Sequence, residues 1–246
     1  MESGAIKVRK EVLEQLCGFM LLFMVFLVAK YGVPQVIAAE AAKSGGVRMQ
    51  DRAVVVIDVG HGGDDPGKVG VDGSLEKDIN LQIALRLRAY LEQSDVSVVM
   101  TREEDTGLYS EGAGSKKMAD MRKRCEIIED SGADLVVSIH QNSYHEEYVS
   151  GGQVFYYADS EKGKKLAEIL QERFTYVLGA DNRRLAKPNS NYYLLLHVKC
   201  PIVIVECGFL SNWKEAALLQ QEDYQDRMAW TIHMGILEYL NGGAKG

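Results

Sequence analysis

The stretch that most constrains the fold is Val54 to Gly63, VVVIDVGHGG. Five of its first six residues are Val or Ile. A near-continuous β-branched run reads as a strand covered on both faces, the habit of a parallel sheet. Loops leaving the carboxyl ends of such strands build active sites. His61 sits in such a loop, flanked by Gly60, Gly62 and Gly63, which let the backbone pack close to a bound group. On its own the stretch serves equally well as a structural turn that happens to hold a histidine.

The rest of the chain repeats the strand-then-helix pattern. Ser74 reads as the N-cap of a helix over about 75–93, with Ile79, Ile83, Leu87, Tyr90 and Leu91 at helical spacing. Val96 to Thr101 is a second strand, and 102–115 a polar loop. A helix marked by Met118, Met121, Cys125 and Ile128 ends at Gly132, a C-cap. Leu135 to Ile139 is a strand ending at His140, and Gln153 to Ala158 alternates like an edge strand. A helix over about 160–177 closes at Gly179, and a loop covers 181–191. Tyr192 to Leu196 and Ile202 to Val205 read as strands, the second ending at Glu206, before helices over about 212–221 and 224–240. This order predicts an α/β fold: a single domain over 53–241, with a twisted, mostly parallel sheet of about six strands and helices on both faces.

The N-terminus departs from this pattern. Lys7, Arg9 and Lys10 precede an uncharged run of 14 residues from Leu16 to Ala29, and small residues follow near Ala38 to Ala42. That layout predicts an export signal or N-terminal membrane anchor over 1–39. The run is short of the ~20 residues of a full span, although extension past Lys30 and Tyr31 would let it anchor uncleaved. Residues 40–52 read as a linker. The expected location is therefore outside the cytoplasmic membrane, secreted or N-terminally anchored, with the membrane touched only through this segment.

Charge narrows the partners. Residues 1–39 hold four basic and three acidic side chains, which leaves 24 basic against 32 acidic in the remainder. An acidic domain without a basic cluster argues against nucleic acid. Beyond the N-terminal segment Cys125, Cys200 and Cys207 are odd in number and lack CxxC spacing, so neither a disulfide scaffold nor a cysteine zinc site is indicated.

Three apolar strands end in a side chain able to bind metal or move a proton: His61, His140 and Glu206. Parallel strands bring these ends to one sheet edge, and Glu76 joins from the first turn of the following helix. Two His and one carboxylate with an open fourth position is the ligand set of a catalytic zinc site, and a further carboxylate would serve as general base and acid. Each residue also has a structural reading. Glu76 suits a helix N-terminus in any case, and His140 could simply bond neighbouring backbone. Glu206, after five apolar residues, would be costly if buried and unpaired. His145, His197 and His233 read as surface or packing residues. The Gly-rich loop lacks the GxxxxGKS/T and GxGxxG patterns of phosphate binding and carries Asp64 and Asp65 instead.

Together, IDVGHGGDDPG, SLEKDINL, SIHQNS and PIVIVECGFLSN closely resemble the motifs of the zinc-dependent N-acetylmuramoyl-L-alanine amidases of the amidase 3 family, in that family's order and spacing over about 54–240. The resemblance implies Zn2+ held by His61, Glu76 and His140, with Glu206 as the catalytic carboxylate and Asn142 and Arg124 as supporting residues. It implies peptidoglycan as substrate, cut at the amide between the lactyl group of N-acetylmuramic acid and L-Ala of the stem peptide. A short segment between His140 and the helix near 160 leaves no room for the autoinhibitory helix some relatives carry. A minimal domain behind an export signal looks most like the sporulation and germination amidases of the CwlD type, which take part in forming muramic-δ-lactam in spore cortex. Accessory regulatory proteins are common among relatives, so such a partner is a candidate. Competing readings are another exported zinc hydrolase, such as a sugar deacetylase, and a wall- or partner-binding module with a degenerate site.

Overall fold

The computed structural model describes residues 52–110, 112, 114–179 and 182–243, with Met20, Leu21, Phe23 and Met24. The export segment and linker expected over 1–52 lie outside the described residues, apart from those four helical positions and Arg52. Among the described residues no helix is long and apolar enough to cross a membrane. The chain divides into two units, Met1–Asp51 and Arg52–Gly246.

The second unit runs β1 (Val54–Val59), α1 (Glu76–Gln93), β2 (Ser97–Met100), α2 (Lys116–Ser131), β3 (Leu135–Asn142), β4 (Gln153–Tyr157), α3 (Glu161–Leu178), β5 (Lys187–Asn189), α4 (Tyr193–His197), β6 (Ile202–Phe209), α5 (Trp213–Leu219) and α6 (Glu222–Glu238). The six strands form one sheet in the order β2-β1-β3-β6-β4-β5. β2, β1, β3 and β6 are mutually parallel, whereas β4 pairs antiparallel with β6 and parallel with β5.

Side chains alternate across this sheet. On one face Val55, Val137, Val203 and Val205 pack with Ile83 and Leu87 of α1, Leu170 and Phe174 of α3, and Met228 and Ile232 of α6. On the other face Val56, Val136 and Ile204 pack with Ile128 of α2 and with Leu194 and Leu195 of α4. Asp58, Ser138, His140 and Glu206 fall in the alternation of this second face, towards the carboxyl ends of the parallel strands.

Two expectations need correction. The segment expected as a strand over 192–196 is the short helix α4. Its Leu194–Leu196 run is not β-branched and suits a helix better than a strand, and Asn189 Oδ1 accepts the amides of Asn191 (2.8 Å) and Tyr192 (3.0 Å) at its entry. The edge position, expected of Gln153–Ala158, falls instead to β5 inside the expected loop, where Pro188 is tolerated, and β4 is paired on both sides, by β6 and β5. The second correction is at α1, where the N-cap residue is Leu75 without a side-chain cap. The Ser74 hydroxyl donates to Asp72 Oδ1 at 2.6 Å. Gly132 ends α2 in the left-handed region at φ 64°, as expected of a C-cap.

Phe174, fully buried on the face away from His140 and Glu206, tests this layering. Phe174→Ala should lower unfolding free energy by about 3–5 kcal/mol in urea titrations; a loss below about 1 kcal/mol would show that α3 contributes little to the core.

Candidate metal centre

The loop after β1 is held in an unusual shape. His61 has φ 63°, followed by Gly62 at 136° and Gly63 at 59°. A left-handed backbone costs a non-glycine residue about 1–3 kcal/mol and persists only where its surroundings enforce it. Here two buried arginines do so by gripping consecutive carbonyls. Arg124 of α2 donates from Nη1 to Val59 O (2.6 Å) and from Nη2 to His61 O (2.9 Å). Arg102, just past β2, donates from Nε to Val59 O (3.2 Å) and from Nη2 to Gly60 O (3.1 Å). Asn80 of α1 adds a bond to Gly60 O at 3.1 Å.

Arg124 is itself neutralised. It pairs with Asp58 Oδ1 at 2.7 Å and Asp120 Oδ2 at 2.6 Å. Burial alone would push the Asp58 carboxyl up, but the charge of Arg124 and hydrogen bonds from Ser138 and Arg124 hold it below the usual carboxylate range. Arg102 lacks such a partner, and burial beside Arg124 brings its guanidinium down to about 10.

The loop delivers His61 to Glu76 and His140. Ligand atoms of these three residues all lie within 4.8 Å of one another, the one such cluster able to hold a metal among the described residues. His61 Nε2 stands 3.2 Å and His140 Nδ1 3.0 Å from Glu76 Oε1. His61 Nδ1 is engaged by Asp65 Oδ2 at 2.8 Å, which orients the ring and directs Nε2 into the cluster. Glu76 is fixed from behind: Oε1 accepts from the Gln141 amide (3.0 Å) and Oε2 from the Lys68 amide (2.7 Å). Two glycines make the approach possible. A Cβ on Gly60 would lie 2.4 Å from His140 Cε1, and one on Gly67 (φ 66°) would lie 2.7 Å from both Glu76 Oε2 and His61 Cδ2.

Charge in the cluster is unbalanced. Burial disfavours imidazolium at His61, but hydrogen bonds and charge from Glu76 and Asp65 outweigh it and raise the ring to about 9. Burial also opposes ionisation of Glu76, yet both histidines hold it well below the usual range. Without a metal, the imidazole of His61 and the carboxylate of Glu76 thus hold each other in their charged forms.

Glu206 faces the same cleft in a different state. It lies within β6, which continues buried to Phe209 beyond the strand end expected at Val205, and is in register with His140 on the adjacent strand. It is buried, and Oε2 has no hydrogen-bond partner. Burial, reinforced by the charge of Glu76 against the opposing histidines, pushes this carboxyl up to about 7. The cleft, about 720 Å³, opens between α2 and α4, with Tyr109, Lys116 and Lys117 on one side and Asn191, Tyr192 and Tyr193 on the other.

Of the two supporting residues expected, Arg124 lies directly behind the His61 loop. Asn142 does not line the cleft: it ends β3, where its Oδ1 accepts from the Ser143 amide at 2.8 Å. His145 and His197 are exposed, and His233 is buried with Nε2 2.9 Å from Ser94 Oγ. The three described cysteines are free thiols. Asp65, Asn80, Arg102 and Gln141 stand out only in three dimensions, although the i,i+4 spacing of His61 to Asp65 and of Glu76 to Asn80 is a signal that could have found two of them.

Removing Arg124 tests this support. Arg124→Met should cost about 3–5 kcal/mol, because Asp58 is left buried and unpaired. The native Asp58 stabilisation is present in full above the ordinary carboxylate value of 3.8 and is lost as pH falls through the lower folded-state value. The penalty measured in urea at pH 7 should therefore shrink in acid below about pH 4, and a penalty independent of pH would show that the pair is not the cause.

Residues 55–238 match the family model described as N-acetylmuramoyl-L-alanine amidase (Amidase_3). The germination-specific N-acetylmuramoyl-L-alanine amidase of Bacillus subtilis (strain 168) is 40% identical over 190 residues, covering 76% of this chain and 79% of that protein. The CwlD amidase from Clostridioides difficile, solved in complex with the GerS lipoprotein, superposes with TM-score 0.75 at 42% identity, covering 77% of this chain and 99% of that one. The catalytic domain of CwlV, an amidase from Bacillus (Paenibacillus) polymyxa var. colistinus, does so with TM-score 0.67 at 34% identity, covering 77% and 98%.

Proposed function

The chain belongs to the N-acetylmuramoyl-L-alanine amidases of the Amidase_3 family, and from that premise we propose that it hydrolyses the amide joining the lactyl group of N-acetylmuramic acid to L-Ala in peptidoglycan, with zinc as its cofactor. The observation that carries this reading is the convergence of His61, Glu76 and His140 beside a buried carboxylate whose second oxygen is unpaired.

Zinc fits these residues. Two imidazoles and a carboxylate without thiolate match its catalytic ligand sets, and their ligand atoms lie within 4.8 Å of one another. His61, Glu76 and His140 would hold it. When bound, it supplies Lewis acidity that polarises the scissile carbonyl and makes water nucleophilic near neutral pH. The chain's own residues do the rest. Glu206 Oε2, free of partners, takes a proton from the attacking water as the water oxygen bonds to the carbonyl carbon. The same oxygen returns that proton to the alanine nitrogen as the C–N bond breaks. The products are a muramoyl carboxylate and a stem peptide with a free amino terminus. A carboxyl value near neutrality suits a group that must both accept and release a proton.

We propose the finer role on narrower support. The similarity to a germination-specific amidase and to CwlD supports action on spore cortex, on the route to muramic-δ-lactam. The basic-then-apolar layout of residues 1–39 supports export or anchoring outside the cytoplasmic membrane. The GerS complex of the C. difficile protein supports an accessory protein as partner here too.

Two measurements test the reading. Purified peptidoglycan digested by the protein should release peptides beginning with L-Ala and leave glycan strands bare; loss of acetyl groups with peptides still attached would mean a deacetylase. Glu206→Gln should lower hydrolysis by about 10²- to 10⁴-fold at unchanged zinc stoichiometry by elemental analysis, whereas His61→Ala or Glu76→Ala should lose the metal. Full activity in Glu206→Gln with zinc bound would overturn the assigned proton transfer.

A further inference from the structure

The metal would polarise the scissile carbonyl, but no group of the chain itself has yet been placed to meet the negative charge that its oxygen gains as water adds, a task for a fixed hydrogen-bond donor. Most donors of the cleft are committed. Arg124 is taken by Asp58, Asp120 and the loop carbonyls. Lys116 is taken by Asp64, and the Tyr109 hydroxyl accepts from the Asp64 amide and bonds to the Asp64 carboxyl. Lys117 and Asn191 are exposed at the mouth.

Tyr192 differs from all of these. It lines the cleft with Glu206 and is only partly exposed. Its ring sits edge-on against Phe155 of β4, with centroids 5.6 Å apart at 80°, and its backbone amide is held by Asn189 Oδ1 at 3.0 Å. The side chain is therefore positioned from both ends, yet no hydrogen bond among the described residues engages its hydroxyl. Burial and the charges of Glu206 and Glu76 push the phenol above its ordinary value of 10, so it stays protonated, and a donor, at neutral pH. Tyr192, Glu206 and the metal-capable residues His61, Glu76 and His140 all line this one cleft.

We propose that Tyr192 is a catalytic residue whose Oη–H donates to the carbonyl oxygen of the scissile amide as that oxygen becomes anionic. The proton stays on the phenol throughout, so the water and amine bookkeeping at Glu206 is unchanged. The proposal rests on the amide-hydrolysis reading, but its test separates the two.

Tyr192→Phe keeps the ring against Phe155 and removes only the donor. With a muramoyl-tripeptide substrate, kcat should fall about 10²-fold while KM and zinc content stay within about twofold of wild type. Affinity for a phosphinate analogue carrying a tetrahedral oxyanion at the scissile position should fall in parallel, while affinity for the muramoyl product holds, as expected of a group that binds the transition state selectively. A kcat within twofold of wild type, or a change in KM alone, overturns the proposal. Failure of the wild type to cleave the amide at all would instead sink the reading beneath it.

Discussion

The site depends on two guanidinium groups buried behind one loop. The backbone at His61 adopts a conformation that an L-residue avoids, and the local backbone bonds between Gly62 and Asp65 (3.0 and 3.2 Å) close only the turn that follows it. The carbonyls of Val59, Gly60 and His61 are instead pinned by Arg124 and Arg102, reaching in from α2 and from the end of β2. Burying two cations side by side is expensive. The cost is offset because Arg124 meets two carboxylates and two carbonyls in good geometry, and because Asp58 on the central strand β1 keeps its charge in return. The metal-capable cluster is thus tied to the core of the sheet through Asp58, one strand position short of Val59.

Much of this was legible in the sequence because it depends on strand ends. Apolar runs identify buried strands, and a buried parallel strand that finishes in His or Glu must place that side chain at the sheet's carboxyl edge. His61, His140 and Glu206 are legible that way, and Glu76 from its place in the first turn of the helix after the His61 loop. The arginine grip was only half legible. Arg124 came from motif position, but Arg102 follows a weak four-residue strand and gains its meaning only once β2 pairs with β1. Asn80 and Gln141 hold backbone or carboxylate atoms that no spacing rule singles out. The error at 192–196 has a plain physical cause. A short apolar run has no diagnostic period, and three leucines entering behind an Asn-capped turn resolve it as a helix. That error concealed Tyr192, which lines the cleft only because the chain turns there instead of extending.

Glu76 and Glu206 show how one cleft separates two identical functional groups. Glu76 is saturated: two backbone amides and two imidazoles contact its oxygens, so its charge is locked in place and it serves as a fixed anion. Glu206 is buried with an oxygen that no hydrogen bond reaches, so its charge is poorly stabilised and its proton is exchangeable near neutral pH. Environments that push two carboxyls apart assign them different tasks. Giving Glu206 a hydrogen-bond partner would stabilise the protein and at the same time hold the carboxylate ionised, weakening it as the acid that must protonate the departing amine.

The pairing of β3 with β6 makes that division possible. His140 and Glu206 are register partners on adjacent parallel strands, so their side chains emerge together on the face that carries α2 and α4. A slip of one residue would turn one of them into the opposite core, among Val137, Val205 and Cys207. Such a slip is also opposed at Ser138 on β3, whose hydroxyl donates to Asp58 on β1 and would be turned into the apolar core of the other face. The irregularity between His140 and Asn142 comes only after the pair is set, where it frees the Gln141 amide to reach Glu76. Core packing and site geometry are therefore enforced by the same residues, so a substitution that loosened the β3–β6 register would separate the proton-carrying carboxylate from the cluster it serves.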